Sequence, residues 1–298
     1  MKNIILSSSF IQYWNGKRYL KKCHPNKDYL IWKFQPFSVE TEDENCLKEI
    51  PAKPKKEGLI NHISFLIKLI ALSLKYRGKV NILVVGEISA RFMRLIVIII
   101  NSKKIVAVDD GLKSVITIPR YKYYFPKIFK IRDEVLKKSK FYTRYKVTNS
   151  EVEILYFHEL EKKLNKNGKI IDEIWFIGQP LVELNLLSHG KVFGFIEEIF
   201  SSGVQIKYFM HRKEFLVKEL SEKYQNVSLI QNDIPFEKYL SNTNKIPKEI
   251  ISFYSTAFYH AYLMCKNKTV FKAKYLDINS DTDKVYEYFQ TQNIKIIS

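Results

Sequence analysis

Residues 105–115 read IVAVDDGLKSV. A run of β-branched and small apolar residues goes straight into two carboxylates and a glycine. An unbroken apolar run bounded by turn residues is the pattern of a strand buried in a parallel sheet. Two like charges at the end of such a strand are costly unless something uses them or water reaches them. Open α/β sheets place their ligands at the carboxyl ends of their strands. Gly111 lets the chain turn sharply there and keeps space beside the carboxylates. One of Asp109 and Asp110 can then act as a general base toward a hydroxyl while hydrogen bonds hold the other. An Asp cap followed by a turn glycine accounts for the same residues, so both readings stand at this point.

Working outward, the chain alternates short apolar runs with helical patterns, the signature of βαβ units around parallel sheets. In the first half, strands are expected at Asn3–Leu6, Tyr29–Phe34, Asn81–Val85 and Lys104–Val108. Helices are expected from about Gly58 to Tyr76 and from about Ile88 to Asn101, with PAKPKKEG (51–58) as a solvated loop. After the glycine comes RYKYYFPKIFKIRDEVLKKSKFYTRYK. Basic residues interleaved with Tyr and Phe can stack on bases, but an amphipathic connection with its Lys face in water explains the stretch better. A second βαβ series starts near residue 170. Its strands are IDEIWFIGQP (171–180), Val204–Met210, Val227–Gln231 and Ile250–Tyr254. Helices fall at Lys191–Phe200, Lys213–Tyr224 and Phe236–Leu240, and another opens at Ser255–Thr256. The tail NSDTDKVYEYFQ reads as a helix capped by Ser280, with Asp281 and Asp283 in its first turn.

The expected architecture is therefore α/β. Two facing Rossmann-like domains span 1–170 and 171–280, with ligand in a central cleft, and a C-terminal helix and tail at 281–298 packs back toward the first domain.

Composition narrows the function. The 298 residues are 46% hydrophobic and 14% aromatic, which is globular rather than disordered. Lys and Arg number 49 against 31 Asp and Glu, a formal charge of +18. That surplus attracts anions such as nucleic acid, acidic lipid or a phosphorylated small molecule, although a Lys-heavy genome yields the same balance. No RNA-recognition, helix-turn-helix or finger signature supports nucleic acid. The three cysteines (Cys23, Cys46, Cys265) show no metal spacing and fit a reducing cytosol. MKNIILSSSF reads as a first buried strand rather than a signal peptide. Ile60–Leu74, interrupted by Lys68, falls short of the roughly 20 residues a membrane span needs.

Two further motifs follow the second series. YFMHRKE (208–214) puts His211 just after a strand, where a protonated imidazole neutralises a phosphate or protonates a leaving group. IISFYSTAFYHAYL (250–263) runs a buried strand into Ser255–Thr256, and hydroxyls plus backbone N–H groups at a helix start form an anion site. Either motif alone has an ordinary structural reading, a loop histidine or a helix cap.

Together, in this order, they resemble the bacterial sialyltransferases of the GT-B type, most closely glycosyltransferase family 52. That group carries an acidic D/E-D/E-G motif, then an H-P motif, then a Ser–Ser/Thr pair. These correspond to Asp109-Asp110-Gly111, His211-Arg212 and Ser255-Thr256. IILSSSFIQ (4–12) is similar to the family's N-terminal S-T-P-hydrophobic-Q segment, and FIGQPL (176–181) to its G-Q-P entry into the second domain. Arg212 stands in place of proline, and Ser8-Ser9 in place of Thr-Pro. His24-Pro25 precedes the acidic motif and is a decoy. Asp281-Thr282-Asp283 spells the D-x-D of metal-dependent transferases but starts the last helix, so capping explains it.

The resemblance implies an inverting transferase that uses a CMP-activated nonulosonic acid, sialic acid first, with no cofactor and no metal. Asp109 is then the base, with Asp110 in support. His211 faces the CMP phosphate, with Ser255, Thr256 and Arg212 around it. Gly178 and Gln179 line the nucleotide side, and Ser9 and Gln12 the acceptor side. The acceptor is expected to be a terminal galactose of lipooligosaccharide or capsule, reached at the inner face of the cytoplasmic membrane through peripheral contact with anionic lipid, with a homodimer as the assembly. The alternatives are a GT-B transferase with another donor, or a basic nucleic-acid-binding protein.

Overall fold

A computed structural model describes residues 2–25, 28–34, 47–49, 59–109, 111–127, 130–157, 168–231, 234–243 and 245–298. The chain divides into two compact units, Met1–Phe157 and His158–Ser298, where a divide at 170/171 was expected.

The first unit runs β1 (Lys2–Ser7), α1 (Phe10–Cys23), β2 (Tyr29–Lys33), β3 (Leu47–Glu49), α2 (Leu59–Lys75), β4 (Val80–Val85), α3 (Arg91–Ile100) and β5 (Lys104–Val108). It continues through α4 (Lys113–Thr117), a 3-10 turn at Tyr121–Tyr124, α5 (Ile131–Lys138), β6 (Ser139–Thr143) and β7 (Glu153–Tyr156). The seven strands lie in the order β3-β2-β1-β4-β5-β6-β7, and every pairing is parallel. A parallel sheet covered on both faces requires strands apolar on both sides. Ile4–Leu6, Ile82–Val85 and Ile105–Val108 meet that demand, all at most 4% exposed.

The second unit runs β8 (Lys169–Ile177), α6 (His189–Phe200), β9 (Ile206–Phe209), α7 (Val217–Ser221), β10 (Val227–Ile230) and α8 (Phe236–Asn242). Then come β11 (Lys245–Ser252), α9 (Thr256–Cys265), β12 (Val270–Lys274), α10 (Ser280–Thr291) and β13 (Lys295–Ile297). Its order is β10-β9-β8-β11-β12-β13, again parallel throughout. Counted from its first strand, each unit has the 3-2-1-4-5-6 arrangement of a doubly wound nucleotide-binding sheet, extended by a seventh strand in the first unit, and reverses direction beside its first strand. The reversal lies between β1 and β4 in one unit and between β8 and β11 in the other.

The Lys-rich stretch after Gly111 is not merely a connection, because its SKFYT forms β6 with Phe141 and Tyr142 buried. The Lys213–Tyr224 helix shortens to α7, since residues 211–216 form a turn around a buried carboxylate described below. The cap of α10 is Asn279 rather than Ser280: its side chain accepts from the N–H groups of Asp281 and Thr282.

Candidate active site

In the first unit, the loop after β1 is fixed by its own side chains. Ser9 caps α1, its Oγ accepting from the Gln12 N–H at 3.3 Å. Gln12 is buried, and its Oε1 accepts from the Ser8 N–H at 2.8 Å. Across the sheet reversal, a Cβ on Gly86 would stand 2.4 Å from that Oε1, so only glycine lets β4 end there. Both expected acceptor-side residues thus sit at the reversal, and their polar atoms shape it.

Asp109 ends β5 and is only 2% exposed. Its Oδ2 accepts from the Arg144 N–H at 3.0 Å and lies 3.4 Å from Arg144 Nε. Arg144 follows β6, donates from Nη2 to Asn15 Oδ1 at 3.0 Å and stacks its guanidinium on Phe157. Among the described residues, Asp109 Oδ1 has no hydrogen-bond partner. Burial pushes the carboxyl up to about 6, outweighing the opposing pull of Arg144 and Thr143. A carboxyl raised in this way can accept a proton nearer neutral pH than an ordinary Asp does. Gly111 has φ +65°, the left-handed turn anticipated from the sequence. Asp110 lies outside the described residues.

In the second unit, three neighbouring strand ends carry the remaining candidates. His211 follows β9, Gly178 and Gln179 follow β8, and Ser255–Thr256 follow β11. These strands are adjacent in the sheet, so residues far apart in sequence share one edge. Ser255 caps α9, its Oγ accepting from the Phe258 N–H at 3.0 Å. The loop before it is pinned onto β8: Ser252 Oγ donates to the Ile177 carbonyl, and Gln179 Oε1 accepts from the Tyr254 N–H. Gln179 therefore sets the height of the helix start beside it. His211 Nδ1 accepts from the Lys213 N–H at 3.2 Å, so the neutral ring carries its proton on Nε2. Burial, with Arg212 and Lys213 adding to it, pushes the imidazole below its ordinary value. That direction disfavours the protonated ring considered from the sequence, and in the neutral tautomer Nε2–H is the donor. Arg212 is exposed and Thr256 half-buried.

Besides Arg144, sequence reasoning missed Glu214. It is 8% exposed and accepts from Tyr208 Oη at 2.6 Å and from the His211 N–H at 2.7 Å. The backbone of Gln179 also bonds it, and burial pushes its carboxyl up to about 7. A Cβ on Gly178 would lie 2.2 Å from Glu214 Oε2. One carboxylate thus ties the end of β9 to the end of β8, and the glycine of FIGQPL is there to admit it. The only signal was Glu three residues after His in HRKE, which is ordinary in a surface turn.

Of the two decoys, His24 is the C-cap of α1, and Asp281 and Asp283 sit in the first turn of α10. Among the described residues no cluster of three or more His, Cys, Asp and Glu is arranged to hold a metal.

The sequence model of the family described as alpha-2,8-polysialyltransferase (POLYST) matches residues 27–274. That span includes Asp109, Gly178, His211 and Ser255 and leaves Ser9 and Gln12 outside. No curated protein matches the chain in sequence. Among solved structures, a sialyltransferase from Photobacterium damsela is 11% identical with a TM-score of 0.55, covering 100% of this chain and 81% of that one. A putative UDP-N-acetylglucosamine 2-epimerase from Listeria monocytogenes is 13% identical with a TM-score of 0.59, covering 100% and 84%. Acinetobacter baumannii MurG is 8% identical with a TM-score of 0.52, covering 100% and 85%. At such identities the likeness shows the fold, which is that of the GT-B glycosyltransferases and the related epimerases.

Proposed function

This chain belongs to the alpha-2,8-polysialyltransferase family, and from that premise we propose that it moves sialic acid, or a related nonulosonic acid, from a CMP-activated donor to a terminal sugar hydroxyl of a surface glycan. Glycosyl transfer itself follows from the family. The observation that supports the finer reading is the family match across 27–274, which takes in both the acidic strand end and the His and Ser strand ends. The family's name points to the 8-hydroxyl of a terminal sialic acid as acceptor. The +18 charge suits such an acidic glycan better than a neutral galactose terminus. Galactose, the acceptor expected from the sequence, is the second arm of the test.

The reaction is an inverting displacement. The acceptor oxygen forms a bond to the anomeric carbon as the bond to the CMP phosphate oxygen breaks, and CMP leaves with the electron pair. Asp109 takes the acceptor proton, with Asp110 in support. Asp109 is suited to this because its Oδ1 has no partner among the described residues and burial pushes its carboxyl up to about 6. His211 donates Nε2–H to the departing phosphate, where fixed donors stabilise developing charge without reorganising. Ser255 and Thr256, at the positive end of α9, hold the same phosphate. Gln179 and Gly178 keep that helix start and the His211 loop in place, Arg212 adds positive charge near the phosphate, and Ser9 and Gln12 shape the acceptor side. The chemistry calls for no metal.

The deciding experiment is a donor and acceptor screen of the purified protein. CMP- and UDP-sugars are offered with sialic acid-ended and galactose-ended oligosaccharides, with and without chelator. Transfer from CMP-sialic acid, indifferent to chelator, is expected. Transfer from UDP-sugars alone overturns the donor assignment, and loss of transfer on chelation overturns the metal-free mechanism.

A further inference from the structure

Among the described residues, helix α2 leaves an apolar stripe uncovered. Ile63, Leu66, Ile67, Ile70 and Leu74 are between 36% and 60% exposed. Their three- and four-residue spacing puts them on one helix face, running about 16 Å at 1.5 Å per residue. The structural face lies beside it: Phe65, Leu69 and Ser73 are buried, and Phe65 meets Phe92 of α3 edge-on. A contiguous exposed stripe of this kind marks an interaction surface.

Charge identifies what covers it. Lys68, Lys75, Arg77 and Lys79 flank or follow the stripe and are all exposed. No Asp or Glu occurs between residues 58 and 86, and Lys53, Lys55 and Lys56 precede the helix in sequence. A second copy of the chain would match the apolar stripe but bring like charges together. An anionic bilayer matches both features, since each basic residue near it gains about 1 kcal/mol. Among the described residues no helix is long and apolar enough to cross a membrane, so the contact is in-plane. We propose that α2 docks on the surface of an anionic phospholipid bilayer, its stripe seated in the headgroup–acyl boundary and its lysines among the phosphates.

The test uses the full chain and needs no sugar substrate, so it stands or falls separately from the transferase reading. Sedimentation is measured with phosphatidylcholine vesicles with and without phosphatidylglycerol. Binding to the anionic vesicles alone is expected, weakened at least about tenfold in the double variant Ile67→Asp/Ile70→Asp and in Lys68→Glu/Lys75→Glu. All these positions are exposed, so the melting temperature should not move. As a direct readout, Ile67→Trp should be quenched by brominated anionic lipid beyond the wild-type signal. Wild-type binding by the apolar double variant, or quenching no greater than wild type, overturns the proposal. So does a wild-type dimer that Ile67→Asp/Ile70→Asp dissociates while lipid binding persists, which would assign the stripe to a second copy.

Discussion

At the residue scale, two buried carboxylates control the two candidate strand ends. Asn in place of Asp109 should lower transfer by about 10²–10⁴-fold, the usual contribution of a general base, while CMP binding stays as it was. If Asp110→Asn has that effect instead, the base assignment moves by one residue. Because the Asp109 carboxyl is pushed up to about 6, transfer should rise with pH through that value. Arg144→Gln should displace the rise to higher pH, since Arg144 opposes the upward shift. Glu214 sits near 7 when folded against its ordinary 4.5. A carboxyl raised by folding favours the native state at low pH and loses that contribution as pH climbs from about 4.5 to 7, by at most about 3 kcal/mol. Glu214→Gln should flatten the melting temperature over that window, measured by thermal denaturation in buffers of matched ionic strength. Gly178→Ala should destabilise the protein by about 1–3 kcal/mol through overpacking, and pairing it with Glu214→Ala should recover part of the loss in denaturant titrations. The strand-end position of Asp109 was legible because an apolar run stopped at it. Arg144 and Glu214 were not, because buried charges in Lys-rich turns look the same in sequence as solvated ones.

At the element scale, caps and sheet order matter most. Ser255→Ala removes the oxygen that bonds the Phe258 N–H at the start of α9. It should cost about 1 kcal/mol of stability and weaken CMP binding more than it slows bound-state transfer, a split that calorimetry and saturation kinetics resolve. The clearest strands that sequence reading found, VNILVV and KIVAV, are buried on both faces. Those it missed, β3, β6, β7, β12 and β13, are short or mix Lys and Glu with the apolar residues. They lie toward or at the sheet margins, where one face suffices and periodicity fades. The register that puts His211, Gln179 and Ser255 on adjacent strands was implicit in the βαβ alternation, because right-handed crossovers allow few orders.

At the scale of the whole molecule, the α/β class and the repeated Rossmann-like plan followed from alternating apolar runs alone, whereas the sugar chemistry needed the motif resemblance and the family match. The excess of 49 basic over 31 acidic residues should make adsorption to any polyanion fall steeply with salt through counterion release. CMP binding, held by a few fixed groups, should survive moderate salt; filter binding and calorimetry at two ionic strengths separate the two. The sheet order also governs synthesis. In each unit the strand made first ends in the interior, with one neighbour following soon and the other only after a long excursion: β1 waits for Val80–Val85, and β8 for Lys245–Ser252. A nascent chain therefore leaves the ribosome with an interior strand half-sheathed, twice over. Slow translation or a chaperone's grip through those two intervals should raise the yield of native protein.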